Sequence, residues 1–306
     1  RAEQGPDVLS APAEAGDVSE VLRLPTETPC FVIHTLNWQE QAPEPWLDTS
    51  ARQVLNQCLG VQGLQVMQRY LSAQILARGL ITSRVMVPEQ SLAVGVLSLR
   101  YIPGRISAVQ DKDMPGWWRT SLPSGPGATL QQRDLDQALE NIRRLGGQAD
   151  ATIDVTPGAA MGESELVLRP GTGKRWHAYV GVDNAGMDST GDRQLNAGLT
   201  LDSPLFLYDQ FSVSWNSNVN FNKREAGARA SSLNYSIPYG YWTFFVGASR
   251  STYSQTVAGF EEPIVYSGRS TQVEAGVRVV PYRGTRYKGG LSAKFFRNRA
   301  SSAIND

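Results

Sequence analysis

Several residue types are scarce or balanced in this 306-residue sequence, and each scarcity excludes a class of protein. Only two histidines and two cysteines occur, and the cysteines form no CxxC pair, so a structural zinc site with its roughly four ligands is not expected. The 29 basic and 29 acidic side chains balance, without the clustered Lys and Arg that nucleic-acid binding requires. No apolar run reaches the roughly 18 to 20 residues of a membrane-spanning helix. We therefore expect no metal, no cofactor, no nucleic-acid partner and no transmembrane helix.

Motifs for catalysis and nucleotide binding are also missing. His177 lies in a strand-like segment with no Ser/Asp constellation around it. The stretch Gly171-Thr172-Gly173-Lys174 lacks the upstream Gly and the Ser or Thr after Lys that a phosphate-binding loop needs, so no nucleotide is expected. The sequence therefore argues against an enzyme.

Residues 1–27 are rich in Ala, Glu, Pro and Gly, and this composition favours a disordered leader or linker. The first residues lack the apolar core of a signal peptide, which suggests a mature or trimmed chain. Cys30 and Cys58 follow, 28 positions apart. Their number alone leaves two possibilities open: two buried thiols, or a disulfide that would require an oxidising compartment such as the periplasm.

Residues 28–104 predict a small α+β domain. A short strand around Phe31 is followed by helical stretches. Leu64, Met67, Leu71 and Ile75 recur on one helix face, and Gly79 ends that helix. Two strands, 81–87 and 94–101, complete the order β-α-α-β-β.

Residues 105–170 repeat this order more faintly. A strand at 106–109 precedes a Pro/Gly-rich loop with Trp117 and Trp118, which we interpret as loop core rather than a peptide-binding pocket. A helix with Leu135, Leu139 and Ile142 on its inner face leads to strands 149–155 and 163–168. The first 170 residues therefore predict two copies of one α+β domain.

Residues 171–306 predict about seven two-faced strands. Their approximate bounds are 175–184, 193–203, 209–221, 226–237, 241–256, 267–280 and 286–299. In the clearest case Phe211, Val213, Trp215, Val219 and Phe221 alternate with Ser and Asn residues. Apolar residues on one face and small or polar ones on the other are typical of a transmembrane barrel, although a soluble sandwich also alternates. Seven strands leave two open edges, which cannot lie in hydrocarbon, so we expect only part of a barrel here.

Several segments of the sequence, taken together with their order and spacing, resemble the outer-membrane transporters of two-partner secretion. The matching stretches are Gly79 to Val85, Leu99 to Ile106, Leu139 to Leu145, Pro157-Gly158 with Gly162 to Leu166, and Asp183 to Gly186 with Thr190 to Gln194. No single motif is strong, but their order and spacing are specific. The family's Val-Arg-Gly-Phe loop motif does not occur in this sequence.

The resemblance implies two periplasmic POTRA domains, 28–104 and 105–170, followed by the first strands of a 16-stranded outer-membrane barrel in a Gram-negative cell, with the chain cut before the barrel closes. It implies export of a large partner, such as a haemolysin, adhesin or contact-dependent toxin, with an N-terminal secretion domain, and contact with outer-membrane lipid. It also implies a Cys30–Cys58 disulfide, because one branch of the family carries a cysteine pair in its first POTRA domain. An assembly factor that inserts barrels is the alternative function, and a soluble adaptor with a β-sandwich is a third.

Two sets of candidate site residues follow from this reading. An exposed strand edge can accept an extended peptide, and the predicted edges comprise Ile81, Thr82, Ser83, Arg84, Val85 and Met86 in the first domain and Thr152, Ile153 and Asp154 in the second. The predicted lumen face of the barrel comprises Tyr179, Asp183, Gln194, Asn196, Ser214, Asn216, Arg229 and Glu274. For any single lumen residue, hydration of the interior is a simpler role than substrate contact.

Overall fold

A computed structural model of the chain describes residues 21–184, 193–218, 227–257, 260, 264–284 and 287–304. The chain divides into two compact units. The first comprises Arg1–Gln110, Ser124–Leu135 and Ile153–Leu168, and the second comprises Asp111–Pro123, Asp136–Thr152 and Arg169–Asp306.

The first α+β domain has the predicted order of elements. They are β1 (Phe31–Val32), β2 (Thr35–Gln39), α1 (Pro45–Ala51), a 3-10 turn (Arg52–Val54), β3 (Cys58–Leu59), α2 (Val61–Ala77), β4 (Arg84–Met86) and β5 (Val96–Ile102). β5 lies at the centre of a three-stranded sheet, parallel to β2 and antiparallel to β4. β1 and β3 form a separate antiparallel pair.

The helical periodicity correctly identified the buried face of α2. Met67, Leu71 and Ile75 are almost fully buried in one cluster with Leu97 and Leu99 of β5, and Leu64 packs against that cluster. Gly79 has a φ of 76°, the left-handed conformation in which glycine ends a helix without steric cost.

Residues 21–27 pack against this domain, so the prediction of a disordered leader is wrong for them. Leu22 is 5% exposed within the core cluster, and its amide donates to the Gln53 side chain at 2.8 Å. The Glu27 carboxylate accepts backbone hydrogen bonds of 2.7 to 2.9 Å from Gly60, Gln62 and Gly63, where α2 begins. It thereby satisfies amides that a helix leaves unpaired in its first turn. Residues 1–20 lie outside the described part of the chain.

Cys30 and Cys58 form a disulfide with their Cα atoms 5.4 Å apart, which confirms the pairing implied by the resemblance. It joins the residue before β1 to the first residue of β3, and the register of the two strands places Cys58 opposite Val32.

The second α+β domain also keeps the predicted order. It consists of β6 (Arg105–Gln110), α3 (Trp118–Ser121), α4 (Gln132–Arg143), a 3-10 turn (Gly146–Gln148), β7 (Thr152–Pro157) and β8 (Glu163–Arg169). The sheet order is β6-β8-β7, with β6 parallel to β8. The predicted strand at 149–155 begins later, at Thr152, because Ala149 still has helical dihedral angles (φ −58°, ψ −28°) after the 3-10 turn. Trp117 is 51% exposed, so its interpretation as loop core is wrong.

The remaining strands form one seven-stranded antiparallel sheet, as the alternation predicted. They are β9 (Trp176–Asp183), β10 (Gln194–Asp202), β11 (Gln210–Asn218), β12 (Gly227–Tyr239), β13 (Trp242–Val257), β14 (Ile264–Arg283) and β15 (Lys288–Ile304). Each strand pairs with its neighbours in sequence, from β9 at one edge to β15 at the other. Val219, Phe221 and Ala185 to Asp192 lie outside the described residues.

Among the described helices, none combines the length and the apolar character needed to cross a membrane.

Candidate functional site

The first predicted peptide-binding edge is shorter than expected. β4 contains only Arg84, Val85 and Met86, paired with Ile102, Tyr101 and Arg100 of β5. It is an edge strand of its sheet, as predicted, with Val85 buried and Arg84 and Met86 exposed. Three residues offer only a short row of main-chain groups to a peptide.

Ile81, Thr82 and Ser83 were predicted in this strand, but they lie in the turn before it. The Ser83 hydroxyl accepts a hydrogen bond of 2.9 Å from the Gly104 amide, and Thr82 packs so closely that a side chain at Gly104 would collide with it. Thr82 and Ser83 therefore contact Gly104 at the end of the first domain, and none of the three residues is part of the strand edge.

β7 is the longer of the two predicted edges. It lies at the border of the order β6-β8-β7, where Ile153 is 5% exposed and Thr152 and Asp154 are half-buried. The Gly158 amide donates to the Glu163 carbonyl at 2.9 Å. Because amides alternate in direction along a strand, those of Ile153 and Val155 point away from β8. No strand pairs with that outer side among the residues that the structure describes.

The seven-stranded sheet has one polar face, which contains most of the predicted lumen residues. Asn196 lies opposite Gly181 and Asn216, and its amide donates to Asp183 at 2.5 Å. Further along the same face, the hydroxyls of Ser214 and Ser232 are 2.7 Å apart. The alternation of side chains places seven of the eight predicted residues on this face: Tyr179, Asp183, Gln194, Asn196, Ser214, Asn216 and Glu274.

Glu274 has a cationic partner on the polar face. Its carboxylate accepts a hydrogen bond of 3.0 Å from Lys294 on β15 and one of 3.3 Å from Gln272. This ion pair links β14 to β15 on the polar face.

Arg229 was predicted in the lumen, and the strand register shows that this is wrong. Arg229 lies opposite Ser217 of β11 and Thr252 of β13, and Ser217 lies opposite Leu195. All of these belong to the apolar face, because successive residues of a strand point to opposite sides.

Polar residues of α4 contact turns and strand ends of the sheet within the second compact unit. Asn141, which is 3% exposed, donates from Nδ2 to the carbonyls of Ser121 and Gly240, both at 2.8 Å. Gly240 in turn donates its amide to the carbonyl of Thr120 at 3.0 Å. The turn between β12 and β13 is therefore attached to both α3 and α4.

Arg144, just after α4, reaches the turn between β10 and β11. Its guanidinium donates to the Tyr208 carbonyl at 2.6 Å and to the Ser236 hydroxyl at 2.8 Å. Burial lowers the pKa of Arg144, while Asp209 and Asp202 oppose that shift. Burial also raises the pKa of Tyr208, with a further contribution from Asp111.

Glu140 forms a third attachment. Its carboxylate pairs with Arg283 at 2.7 Å and also with Lys288, at the two ends of the turn between β14 and β15. Burial acts to raise the pKa of Glu140, but the hydrogen bonds and charges of Lys288 and Arg283 outweigh it and the net shift is downward.

Two family profiles match this chain. Residues 162–306 match the haemolysin secretion/activation protein family ShlB/FhaC/HecB, and residues 33–104 match the POTRA domain of ShlB type. The chain belongs to this family.

The relatives of this ShlB/FhaC/HecB family member include transporters of several bacteria. It is 35% identical over 329 residues to outer membrane transporter CdiB-2 of Burkholderia pseudomallei (strain 1026b), covering 99% of this chain and 56% of that protein. It is 35% identical over 198 residues to haemolysin transporter protein ShlB of Serratia marcescens, covering 64% of this chain and 35% of that protein. The solved structure of CdiB from Escherichia coli superposes with a TM-score of 0.85 at 27% identity, covering 98% of this chain and 55% of the other.

The chain spans about half the length of curated relatives such as CdiB-2 of Burkholderia pseudomallei (56%) and CdiB of Dickeya dadantii (52%). Its first α+β domain is a periplasmic POTRA domain, and its seven-stranded sheet is part of an outer-membrane barrel. The turns that contact α3 and α4 therefore face the periplasm.

The contacts from α4 were missed by sequence reasoning, although the helix itself was found. Gln137, Glu140, Asn141 and Arg144 follow the spacing i, i+3, i+4 and i+7, which is a polar stripe on one helix face. Asn141 and Gln137 are both 3% exposed. The sequence of α4 carries a polar stripe beside its apolar stripe, and this pattern could have indicated that both faces of the helix contact other elements.

Proposed function

We propose that this protein captures a secreted partner at an open strand edge of its POTRA domains and exports it through a barrel that includes β9–β15. The observation that carries the proposal is β7, an edge strand with outward amides at Ile153 and Val155. An extended peptide that adds to such an edge gains main-chain hydrogen bonds whatever its sequence. This mode suits a partner that arrives unfolded.

β7 is the primary docking strand in this proposal, and β4 is secondary. Six residues of β7 offer a longer ladder than the three of β4. Specificity would come from the side chains beside the ladder. Asp154 and Thr152 lie on the face of β7 opposite to buried Ile153, where they would contact alternate side chains of the added peptide.

The polar face of β9–β15 supplies the proposed conduit wall. Ser and Asn side chains on this face hydrogen-bond between neighbouring strands, as Ser214 does with Ser232 and Ser270 with Asn298, and they give the face its polar groups. A passing chain would meet hydrogen-bonding groups of low charge. The proposal includes no catalytic step, because transport of this kind requires binding and a path rather than bond cleavage.

The test is a proline scan of β7 in the full-length transporter. Val155→Pro removes an outward amide, and we expect partner binding to purified protein and partner secretion by cells to fall together. Val155→Ala is the matched control, because it shortens the side chain but keeps the amide. Asp154→Pro removes an amide directed at β8. This variant shows how far binding and secretion fall when the pairing of β7 with β8 is disrupted.

The proposal is abandoned if V155P binds and exports the partner as well as V155A. Thermal unfolding of each variant shows whether the POTRA domains remain folded. A barrel-inserting assembly factor is the alternative, and the relatives favour transport because they are transporters. Deletion of an assembly factor would lower many outer-membrane proteins, whereas deletion of a transporter would abolish release of its partner alone.

A further inference from the structure

The apolar face of the barrel sheet carries a group of arginines at one end. Near the periplasmic turns, this face consists of aromatic and aliphatic residues, such as Trp242, Phe244 and Val246 on β13. Further along the strands the composition changes. Five exposed arginines then share this face, and we call them the arginine ladder: Arg229, Arg250, Arg269, Arg297 and Arg299.

The strand register makes these five residues a continuous group. Arg250 lies opposite Ser231 and Thr271, which places it diagonal to Arg229 on one side and Arg269 on the other. Arg269 lies opposite Ser301, which makes it a diagonal neighbour of Arg299. Arg297 precedes Arg299 by two residues and therefore lies on the same face. Diagonal neighbours on one face of a sheet are about 7 to 8 Å apart. The ladder therefore crosses four adjacent strands, β12 to β15.

The ladder lies at the end of the apolar band that is remote from the periplasm. The turn before Trp242 contains Gly240, which is bonded to Asn141 of the second POTRA domain. From Trp242 to Arg250 the chain advances about 27 Å at ~3.4 Å per residue. With the strands tilted by about 40°, this corresponds to about 20 Å along the membrane normal, close to the ~25 Å height of a barrel's apolar band. The ladder thus falls at the level of the outer-leaflet headgroups.

Among the residues that the structure describes, no acidic side chain of the barrel strands lies beside the ladder on its face of the sheet. Within the described parts of β9 to β15, the outward face carries no Asp, Glu or Lys, whereas Glu274 and Lys294 pair on the inward face. Five guanidiniums at this spacing repel one another unless anions lie between them. Phosphate is the anion that arginine binds best, through two parallel hydrogen bonds that lysine cannot form.

We infer that the arginine ladder binds phosphorylated lipid headgroups of the outer leaflet, with one phosphate shared between diagonal arginines. This inference rests on membrane residence and not on partner capture, so loss of secretion in the proline scan leaves it intact. In this inference the strands β12 to β15 both enclose the proposed path and bind lipid on their outer face.

The test compares the full-length transporter in detergent with bis-phosphorylated lipid A and with the same lipid after dephosphorylation. Retained lipid is measured by native mass spectrometry. We expect wild-type protein to prefer the phosphorylated lipid by at least about tenfold, which corresponds to ~1.4 kcal/mol. The triple variant R250Q/R269Q/R299Q should lose this preference. The matched control R278Q changes an arginine on the inward face of β14, opposite Thr243 and Ser292, and should retain it.

Replacing the same three arginines with lysine keeps the charge and removes the bidentate geometry, so an intermediate preference is expected. Equal retention of both lipids by wild-type protein overturns the inference. This comparison uses only wild-type protein, so it does not depend on whether any variant folds. A folded glutamine triple variant that keeps the preference, or an R278Q variant that loses it equally, overturns it as well.

Discussion

The buried amide of Asn141 in α4 donates a hydrogen bond of 2.8 Å to the carbonyl of Gly240, in the turn between β12 and β13. Asn141 is 99 residues from Gly240 in sequence, so the contact joins a helix of the second α+β domain to a barrel hairpin. The same side-chain nitrogen donates to Ser121, which gives one amide group two acceptors from separate elements.

We expect Asn141→Ala to destabilise this attachment by about 1 to 3 kcal/mol, because the substitution leaves buried carbonyls without a donor. Limited proteolysis should cut the α4 region faster, and the unfolding temperature in detergent should fall. Arg133→Ala is the matched control, since its side chain is 55% exposed on the same helix. Equal protease resistance of N141A and R133A would contradict the prediction.

A dependence on pH follows from Glu140. Its pKa lies below the ordinary value of 4.5, so its contribution to stability is complete above that value and is lost as pH falls through the lowered pKa. We expect wild-type protein to be more stable than Glu140→Gln at neutral pH, with the difference shrinking in acid. The measurement is the unfolding temperature of both proteins across that range. A difference that stays constant down to the most acidic condition would exclude this role for the ion pairs.

The disulfide should stabilise the first POTRA domain. Cys30 and Cys58 close a loop with a sequence separation of 28, for which about 3 to 4 kcal/mol is expected. We predict that a Cys30→Ala/Cys58→Ala variant unfolds at lower denaturant concentration than the oxidised protein. Reduced wild-type protein serves as the control and should match the variant. If reduction changes nothing, the bond contributes no net stability.

The two faces of β11 should differ in access to water. Val213 lies on the apolar face, and Ser214 lies on the polar face beside Ser232. Cysteines introduced singly at these adjacent positions would be the only free thiols, because the two native cysteines are bonded to each other. In lipid vesicles we expect a charged maleimide to modify S214C faster than V213C. Similar rates at both positions would argue against a lipid-facing apolar side.

Periodic features of the fold could be predicted from the sequence because local spacing determines them. Met67, Leu71 and Ile75 recur at helical intervals, and the alternation from Phe211 to Trp215 identifies a two-faced strand without knowledge of its neighbours. The number of barrel strands followed from the same alternation. These features need only the period of the element and the chemistry of its residues.

Arg229 shows where local spacing fails. A strand has a period of two, so a shift of one residue moves every side chain to the other face. The stretch from Ala228 to Ser232 contains alanines, serines and one arginine, which do not mark either face by hydrophobicity. Only the pairing of β12 with β11 and β13 determines its orientation.

The role of Glu27 could not be predicted for a different reason. Its three partners are backbone amides at Gly60, Gln62 and Gly63, and any sequence supplies backbone amides. Asn141 is similar, because its acceptors are carbonyls at Ser121 and Gly240. Contacts from a side chain to a distant main chain leave no mark on the partner's sequence.

The Cys30–Cys58 bond also has a mechanical consequence. In the export mechanism proposed above, the domains that hold the moving partner would come under tension. The bond prevents the loop between the two cysteines, with a sequence separation of 28, from being stretched out. The length to which the first POTRA domain can be extended is therefore shorter by about 95 Å, at ~3.4 Å per residue. Tension applied across Cys30 and Cys58 is then carried by a covalent link, so this part of the domain cannot be drawn out while the periplasm remains oxidising.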